Sequence, residues 1–290
     1  MAHISVLLQE VLQIFEGRNL DVFFDGTLGA GGHARAILEA HPEIERYIGC
    51  DRDPKALAIA SKVLEPWGEK VELVRSDYAD LPRVLKEKKV PAIDGFLIDV
   101  GVSSMQLDER ERGFSFLGDA PLDMRMDPEG ELTAAEIVNR YPEKELARIF
   151  FEYGEERRSR QVARAIVEAR KKKKFRTTAE LVHVIKPVAT KGKLHPATLV
   201  FQALRIVVND ELGQLQRGIA AAMEKMSPGG RMAVISFHSL EDRIVKNAFR
   251  DAKGIVKILT KKPIGPTAKE MRENPRSRSA KLRAVEKVEE

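Results

Sequence analysis

Short apolar runs alternating with helix-sized stretches dominate the first hundred residues. Segments 21–25, 46–51, 71–75 and 93–99 read as strands, and 33–41, 54–65 and 79–88 as the helices between them. That order predicts a parallel α/β half-sheet with right-handed crossovers. Beyond Asp99 the pattern changes. After the Gly101-Val102-Ser103-Ser104 loop and an aromatic, polar stretch, helical signals prevail from about 132 to 211. Thr133-Ala134-Ala135-Glu136 forms a capping box, and Glu143–Phe151, Ser159–Lys173, Thr178–Ile185 and Pro196–Val208 are further helix candidates.

Connections in compact domains are usually about 4 to 6 residues, so an excursion of roughly 100 predicts an inserted domain rather than a loop. The α/β pattern resumes with a helix from Asp210 to Met226, a Ser227-Pro228-Gly229-Gly230 exit and a strand from Arg231 to Phe237. Ile255–Leu259 and Leu282–Val285 supply two later strands. The predicted organisation is a discontinuous domain of residues 1–107 and 210–290, with residues 108–209 as a mainly helical substrate-recognition domain.

The chemistry concentrates at the ends of the early strands. Asp25-Gly26-Thr27-Leu28-Gly29-Ala30-Gly31-Gly32-His33 reads as strand, glycine-rich turn and helix start, and Asp51 ends the second strand. Such a turn lets backbone approach a ligand, and an acid at the next strand end can accept ribose hydroxyls. A phosphate-binding GxxxxGK[ST] loop is absent, which removes the main support for nucleotide hydrolysis. Gly29-Ala30-Gly31-Gly32-His33-Ala34 meets GxGxxG only through its permissive final alanine, so S-adenosylmethionine fits at least as well as a dinucleotide.

Tyr78, following the third strand, is a candidate to stack on an adenine. Asp99 through Asp108 place an acid, the Ser103 and Ser104 hydroxyls and the Gln106 amide beyond a strand end, where substrate and cofactor can meet. Ser103 lies outside any GxSxG elbow, and Ser236-Phe237-His238-Ser239-Leu240-Glu241-Asp242-Arg243 more naturally follows a strand and caps a helix than forms a triad. His238 can serve there as a proton relay or as a structural residue. The six histidines form no zinc-binding series, and no metal is expected.

Composition narrows the class. With 290 residues, 43% of them hydrophobic, the chain can bury a sizeable core. No apolar run approaches the roughly 18 to 20 residues of a membrane span, and no leader-like segment opens the sequence, so a cytoplasmic protein is expected. The lone cysteine, Cys50, cannot form an intrachain disulfide and reads as a buried strand residue. The formal charge is +5, but residues 160–176 hold eight basic side chains against one acidic, and residues 253–290 eleven against five. The remainder is therefore acidic, and the two basic regions suit a polyanionic partner.

Taken in order, Asp25 through His33, Asp94 through Phe116, Pro121 through Asp127, His195-Pro196-Ala197, Phe201 through Asn209, Ser236 through Arg243 and Asn274 through Arg283 resemble the ribosomal RNA small-subunit methyltransferase H family. The resemblance runs from His3 through Glu286. It implies a class I Rossmann-like S-adenosylmethionine-dependent methyltransferase fold with an inserted helical domain. The implied activity is methylation of the exocyclic N4 of a cytidine in the decoding region of bacterial 16S rRNA.

The family's cofactor contacts would fall on Gly31, Gly32, His33, Asp51, Tyr78, Asp99 and Gln106, with Tyr78 standing where some relatives have phenylalanine. Asp99 is the first candidate for the electrostatic role at the acceptor nitrogen, with Ser103, His238 and Asp242 as further candidates for positioning or proton removal. Lys171, Lys172, Lys173 and Lys174, together with Arg276, Arg278, Lys281 and Arg283, are expected at the RNA. The expected partner is small-subunit rRNA within an assembling 30S particle, with no membrane and with homo-oligomerisation open. A noncatalytic RNA-binding or ribosome-assembly protein, and an NAD-dependent oxidoreductase, are the competing classes.

Overall fold

The computed structural model describes residues 5–192 and 194–288, apart from the side chain of Ser104; His3, where the resemblance begins, lies outside the described residues. After helix α1 (Leu8–Phe15), the chain alternates β1 (Val22–Asp25), α2 (Gly32–Ala40), β2 (Arg46–Asp51), α3 (Pro54–Val63), β3 (Val71–Arg75), α4 (Leu81–Glu87) and β4 (Ile93–Asp99). Then come α5 (Ser104–Asp108), α6 (Ala134–Arg140), α7 (Glu143–Glu152), α8 (Ser159–Lys172), α9 (Thr178–Ile185), α10 (Thr198–Asn209) and α11 (Glu211–Lys225). β5 (Met226–Ser236), α12 (Ser239–Asp251), β6 (Val256–Ile258), α13 (Ala268–Glu273) and β7 (Lys281–Lys287) complete the chain.

The strands form one sheet in the order β3-β2-β1-β4-β5-β7-β6. β1 to β5 run parallel, and β7 is antiparallel to both β5 and β6. Strand order reverses between β1 and β4, so their carboxyl ends open the crevice in which doubly wound sheets bind ligands. Successive side chains leave a strand on opposite faces. Phe24, Ile48, Phe96, Ile98 and Val234 accordingly join one apolar layer, and Phe23, Tyr47, Leu97, Ala233 and Ile235 the other. Both faces are covered, which is why these strands appear as nearly uninterrupted apolar runs.

Gly95, in the middle of β4, shows how tightly this sheet is packed. A methyl group there would run into the Phe23 ring, which stacks on Tyr47 at 5.2 Å and meets Phe15 edge-on at 4.9 Å. With neighbours on both sides, the ring has nowhere to move. Gly95→Ala is expected to cost about 1–3 kcal/mol as overpacking, seen as a lowered unfolding midpoint in a thermal melt.

Two differences from the sequence expectation have clear causes. β5 begins at Met226 rather than Arg231 because Met226 pairs with Ile93 and Arg231 with Gly95, leaving Ser227-Pro228-Gly229-Gly230 as a bulge within the strand. The chain divides into one unit of Met1–Gly101 with Leu212–Glu290 and a second of Val102–Glu211, so α5 belongs to the helical unit instead of ending the sheet domain. The helical unit has its own core, including Leu146, Phe150, Ile166, Phe201 and Leu204. Two of its helices, α6 and α9, start on reciprocal caps, Thr133 with Glu136 and Thr177 with Glu180. Among the described residues, no helix is long and apolar enough to cross a membrane.

Candidate functional site

The glycine-rich turn after β1 is tied to both neighbouring strands. Gly26 N–H donates to the Leu97 carbonyl at 2.8 Å, Leu28 N–H to that of Cys50 at 2.9 Å, and Asp99 N–H to Thr27 Oγ1 at 2.6 Å. Gly31 then starts α2 in the left-handed region, at φ 82°, where a side chain would be strained. Asp51, at the end of β2, receives Gly29 N–H on Oδ2 and Asp53 N–H on Oδ1, both at 2.8 Å. Burial raises its pKa while these two backbone donors pull the other way. Each carboxylate oxygen retains acceptor capacity beyond its one backbone bond, as recognition of a vicinal diol requires.

Three carboxyl groups gather where β1, β4 and α12 begin or end. Asp25 is buried, accepting from Thr27 N–H at 3.0 Å and Tyr47 O–H at 2.9 Å, and burial pushes its pKa up to about 7. Asp99 at the tip of β4 is pushed up to about 8, first by burial and then by the charges of Asp25 and Glu241. Its Oδ1 is a buried atom with no hydrogen-bonding partner among the described residues. A buried acceptor left open is costly unless a ligand completes it. The site therefore favours a bound donor or a positive charge at Asp99.

Other expected residues have different surroundings. His33 is buried and its Nε2 lies 2.9 Å from the Val6 carbonyl, which fixes the ring at the start of α2. The Tyr78 side chain is buried. It lies in the core, where a Cβ on Gly26 would be 2.5 Å from Tyr78 Cβ and a Cβ on Gly218 would strike the ring. The ring is thus packed close against Gly218.

In the helical unit, Ser103 and Gln106 form a reciprocal cap for α5. Ser103 Oγ accepts Gln106 N–H at 3.2 Å and Gln106 Oε1 accepts Ser103 N–H at 3.1 Å. The side chain of Ser104 lies outside the described residues. His238 caps α12 through its side chain, which accepts Glu241 N–H. Asp242 accepts from Arg283 Nε at 2.7 Å and from Lys281 Nζ at 3.4 Å. Burial opposes ionisation there, but the two cations outweigh it and hold the Asp242 carboxyl below its ordinary range. That is the wrong direction for a proton acceptor. Arg283, buried against Asp242, is likewise removed from any RNA surface.

Several participants were not among the expected residues. Asp25, Thr27 and Glu241 act through contacts made only after folding, and Arg52 forms an ion pair with Asp77 beyond the end of β3. A local signal existed for Glu241 alone, as the third helical residue after a capping position. Cys50 is buried in β2, and its thiol pKa is driven upward by burial, consistent with a packing role.

Comparison with known proteins decides the family. The profile described as the MraW methylase family matches residues 1–288. The chain belongs to the MraW methylase family. Curated relatives named ribosomal RNA small subunit methyltransferase H include one from Protochlamydia amoebophila, 53% identical over 99% of this chain and 98% of the relative. Another, from Heliobacterium mobile, is 50% identical over 99% of both. A solved Clostridium thermocellum chain shares 11% identity at a TM-score of 0.50, covering 99% of this chain and 100% of that one, a likeness of fold alone.

This MraW-family chain has the class I Rossmann-like fold and is an S-adenosylmethionine-dependent methyltransferase. The residues present fit that cofactor. Asp51 offers acceptors for a ribose, and the open Asp99 oxygen among three acids suits a cationic group.

Proposed function

We propose that the chain methylates the exocyclic N4 of a cytidine in the decoding region of bacterial 16S rRNA, acting on small-subunit rRNA in an assembling 30S particle in the cytoplasm. The observation that carries the chemistry is the buried Oδ1 of Asp99 at the end of β4, without a hydrogen-bonding partner among the described residues. S-adenosylmethionine supplies an electrophilic methyl group on a sulfonium centre. Asp51 would hold the ribose, and the Gly29–Gly31 turn would bring backbone close to the ligand, with Gly32 and His33 starting the helix behind it.

Cytosine N4 is a weak nucleophile because its lone pair is shared with the ring, and it gains positive charge as it attacks. Asp99 would accept a hydrogen bond from the N4 amino group and stabilise that charge, then take the proton released when the N–C bond has formed. Reference carboxyls ionise near 4, whereas the Asp99 value of about 8 places its proton affinity near working pH. Labelled methyl transfer to small-subunit RNA and to partly assembled particles, followed by nucleoside identification, tests the reading. An N4-methylcytidine product supports it; binding without transfer returns the chain to the noncatalytic class.

The basic surfaces divide by what their neighbours leave available. Lys171 pairs with Glu168 at 2.7 Å and Lys173 with Glu180 at 2.6 Å, whereas exposed Lys172 and Lys174 have no ion-pair partner among the described residues. Lys172, Lys174 and the exposed Arg278 are therefore the better phosphate contacts of the expected set. Lys281 is partly held by Asp242. The double variant Lys172→Glu/Lys174→Glu is expected to weaken rRNA binding about tenfold or more at low salt and to reduce the slope of log affinity against log salt by roughly 1 to 2. Filter binding across a salt series measures both, and an unchanged slope would remove these lysines from the footprint.

A further inference from the structure

Glu241 is completely buried, on the first turn of α12, and one of its carboxylate oxygens is held by the turn that precedes it. Its Oε2 accepts Phe237 N–H at 2.8 Å and His238 N–H at 3.2 Å. Its Oε1 lies 3.0 Å from His238 Nε2, and its own N–H donates to His238 Nδ1 at 3.4 Å. Oε2 of this carboxylate thus clamps two consecutive backbone donors in the β5–α12 turn. A helix cap needs far less, since a serine on the surface would do it. A buried charge costs several kcal/mol in desolvation, so its presence here calls for more than a capping role.

The clamped turn faces the turn that carries Asp99. The Phe237 ring lies against Gly101, with Cδ2 3.6 Å from the position a Cβ would take, and Val100 N–H donates to the Ile235 carbonyl at 2.9 Å. Glu241 is also one of the two charges felt by Asp99, Asp25 from β1 being the other. We propose that Glu241 is a positioning residue for methyl transfer, its carboxylate fixing the Phe237–His238 turn against the Asp99–Gly101 turn and adding negative potential where positive charge develops on the acceptor. The proposal rests on the methyltransferase reading and assigns Glu241 no direct contact with substrate.

The geometry predicts a specific kinetic pattern. Glu241→Gln keeps an oxygen acceptor for the turn but removes the charge, so kcat should fall roughly 10- to 100-fold, the scale of a small misplacement of a reacting group. S-adenosylmethionine affinity by calorimetry should change less than about threefold, because Asp51 and the glycine turn are untouched. With one like charge gone from beside Asp99, leaving Asp25 as its remaining acidic neighbour, the acid limb of kcat/KM should move to lower pH.

Glu241→Asp, which restores the charge on a shorter arm, should recover the pH profile more than the rate. Phe237→Leu, which removes the ring but no charge, should lower kcat with the pH profile unmoved, and it provides the test if Glu241→Gln does not fold. A folded Glu241→Gln with wild-type kcat and pH profile, or a Phe237→Leu with wild-type kcat, would overturn the proposal. If the wild-type protein itself yields no N4-methylcytidine, it is the underlying reading that fails.

Discussion

Asp99→Asn is expected to lower kcat about 10²- to 10³-fold at saturating cofactor, the usual loss when a positioned proton acceptor is removed, while making the ligand-free protein more stable at pH 8. The two effects have one origin. An unfolded aspartate ionises near 4, but burial and the charges of Asp25 and Glu241 keep Asp99 protonated in the folded chain up to about 8. Across that window the native state binds a proton that the unfolded state has lost, so stability falls as pH rises from about 4 to about 8. Asparagine has no proton to bind and abolishes this part of the slope.

Thermal melts between pH 5 and 9 should therefore show a flatter dependence for the variant, crossing to a higher midpoint than wild type on the alkaline side. Asp25, pushed up to about 7, contributes a similar slope in both proteins and serves as the internal reference. Nearly wild-type turnover in Asp99→Asn would eliminate the proton-acceptor role. Weakened cofactor binding with normal turnover at saturation would confine Asp99 to the cofactor pocket. Loss of activity together with a gain in stability is the pattern expected of a group held in an unfavourable environment for function.

How much of this was legible in the chain depends on the range of the interaction that decides each feature. β2 and β4 occupy the residues expected from their apolar runs because burial on both faces leaves an unambiguous local pattern, and the half-buried edge strand β3 also falls where expected. β7 extends from Lys281 to Lys287, beyond the expected Leu282–Val285, because half-buried charged residues continue the pairing at both ends of a buried centre; Arg283 in that centre is paired with Asp242, 41 positions away. No local pattern reports such a pair. Tyr78 shows the same limit from another side. Its position beyond a ligand-facing strand end was readable, but the packing of its ring depends on the absent side chains of Gly26 and of Gly218, 140 positions beyond Tyr78.

The candidate site divides in the same way. Asp51 stood out because a glycine turn followed by an acid at the next strand end is a sequential signal. Asp25 did not, and Glu241 showed only as a capping partner, since their importance lies in burial and in proximity to Asp99. The lysine run was visible as charge, yet only the folded positions of Glu168 and Glu180 separate Lys171 and Lys173 from Lys172 and Lys174. The end of β4 was misdivided for a similar reason. Ser103 and Gln106 were expected to share the sheet domain with Asp99, but their reciprocal cap starts a helix of the other unit.

Asp51→Ala is expected to raise the S-adenosylmethionine dissociation constant about 10- to 100-fold, with kcat at saturating cofactor changed much less. A carboxylate receiving both ribose hydroxyls makes two charge-assisted hydrogen bonds, each worth about 1.5–3 kcal/mol when paired with an ionised group, part of which water recovers in the free state. Truncation also strips an acceptor from Gly29 N–H and Asp53 N–H, which loosens the turn that brings backbone to the ligand.

Asp51→Asn separates these contributions, because one amide oxygen can retain one of the two backbone donors while the charge is lost. It should lie between wild type and alanine in affinity, and closer to wild type in melting temperature. Calorimetric titration with S-adenosylmethionine and with its demethylated product reads the effect without requiring turnover. Since a ribose contact does not distinguish the methylated from the demethylated ligand, both should weaken by a similar factor. A loss confined to the methylated form would place Asp51 near the sulfonium instead, and an unchanged affinity for both would move the cofactor away from the end of β2.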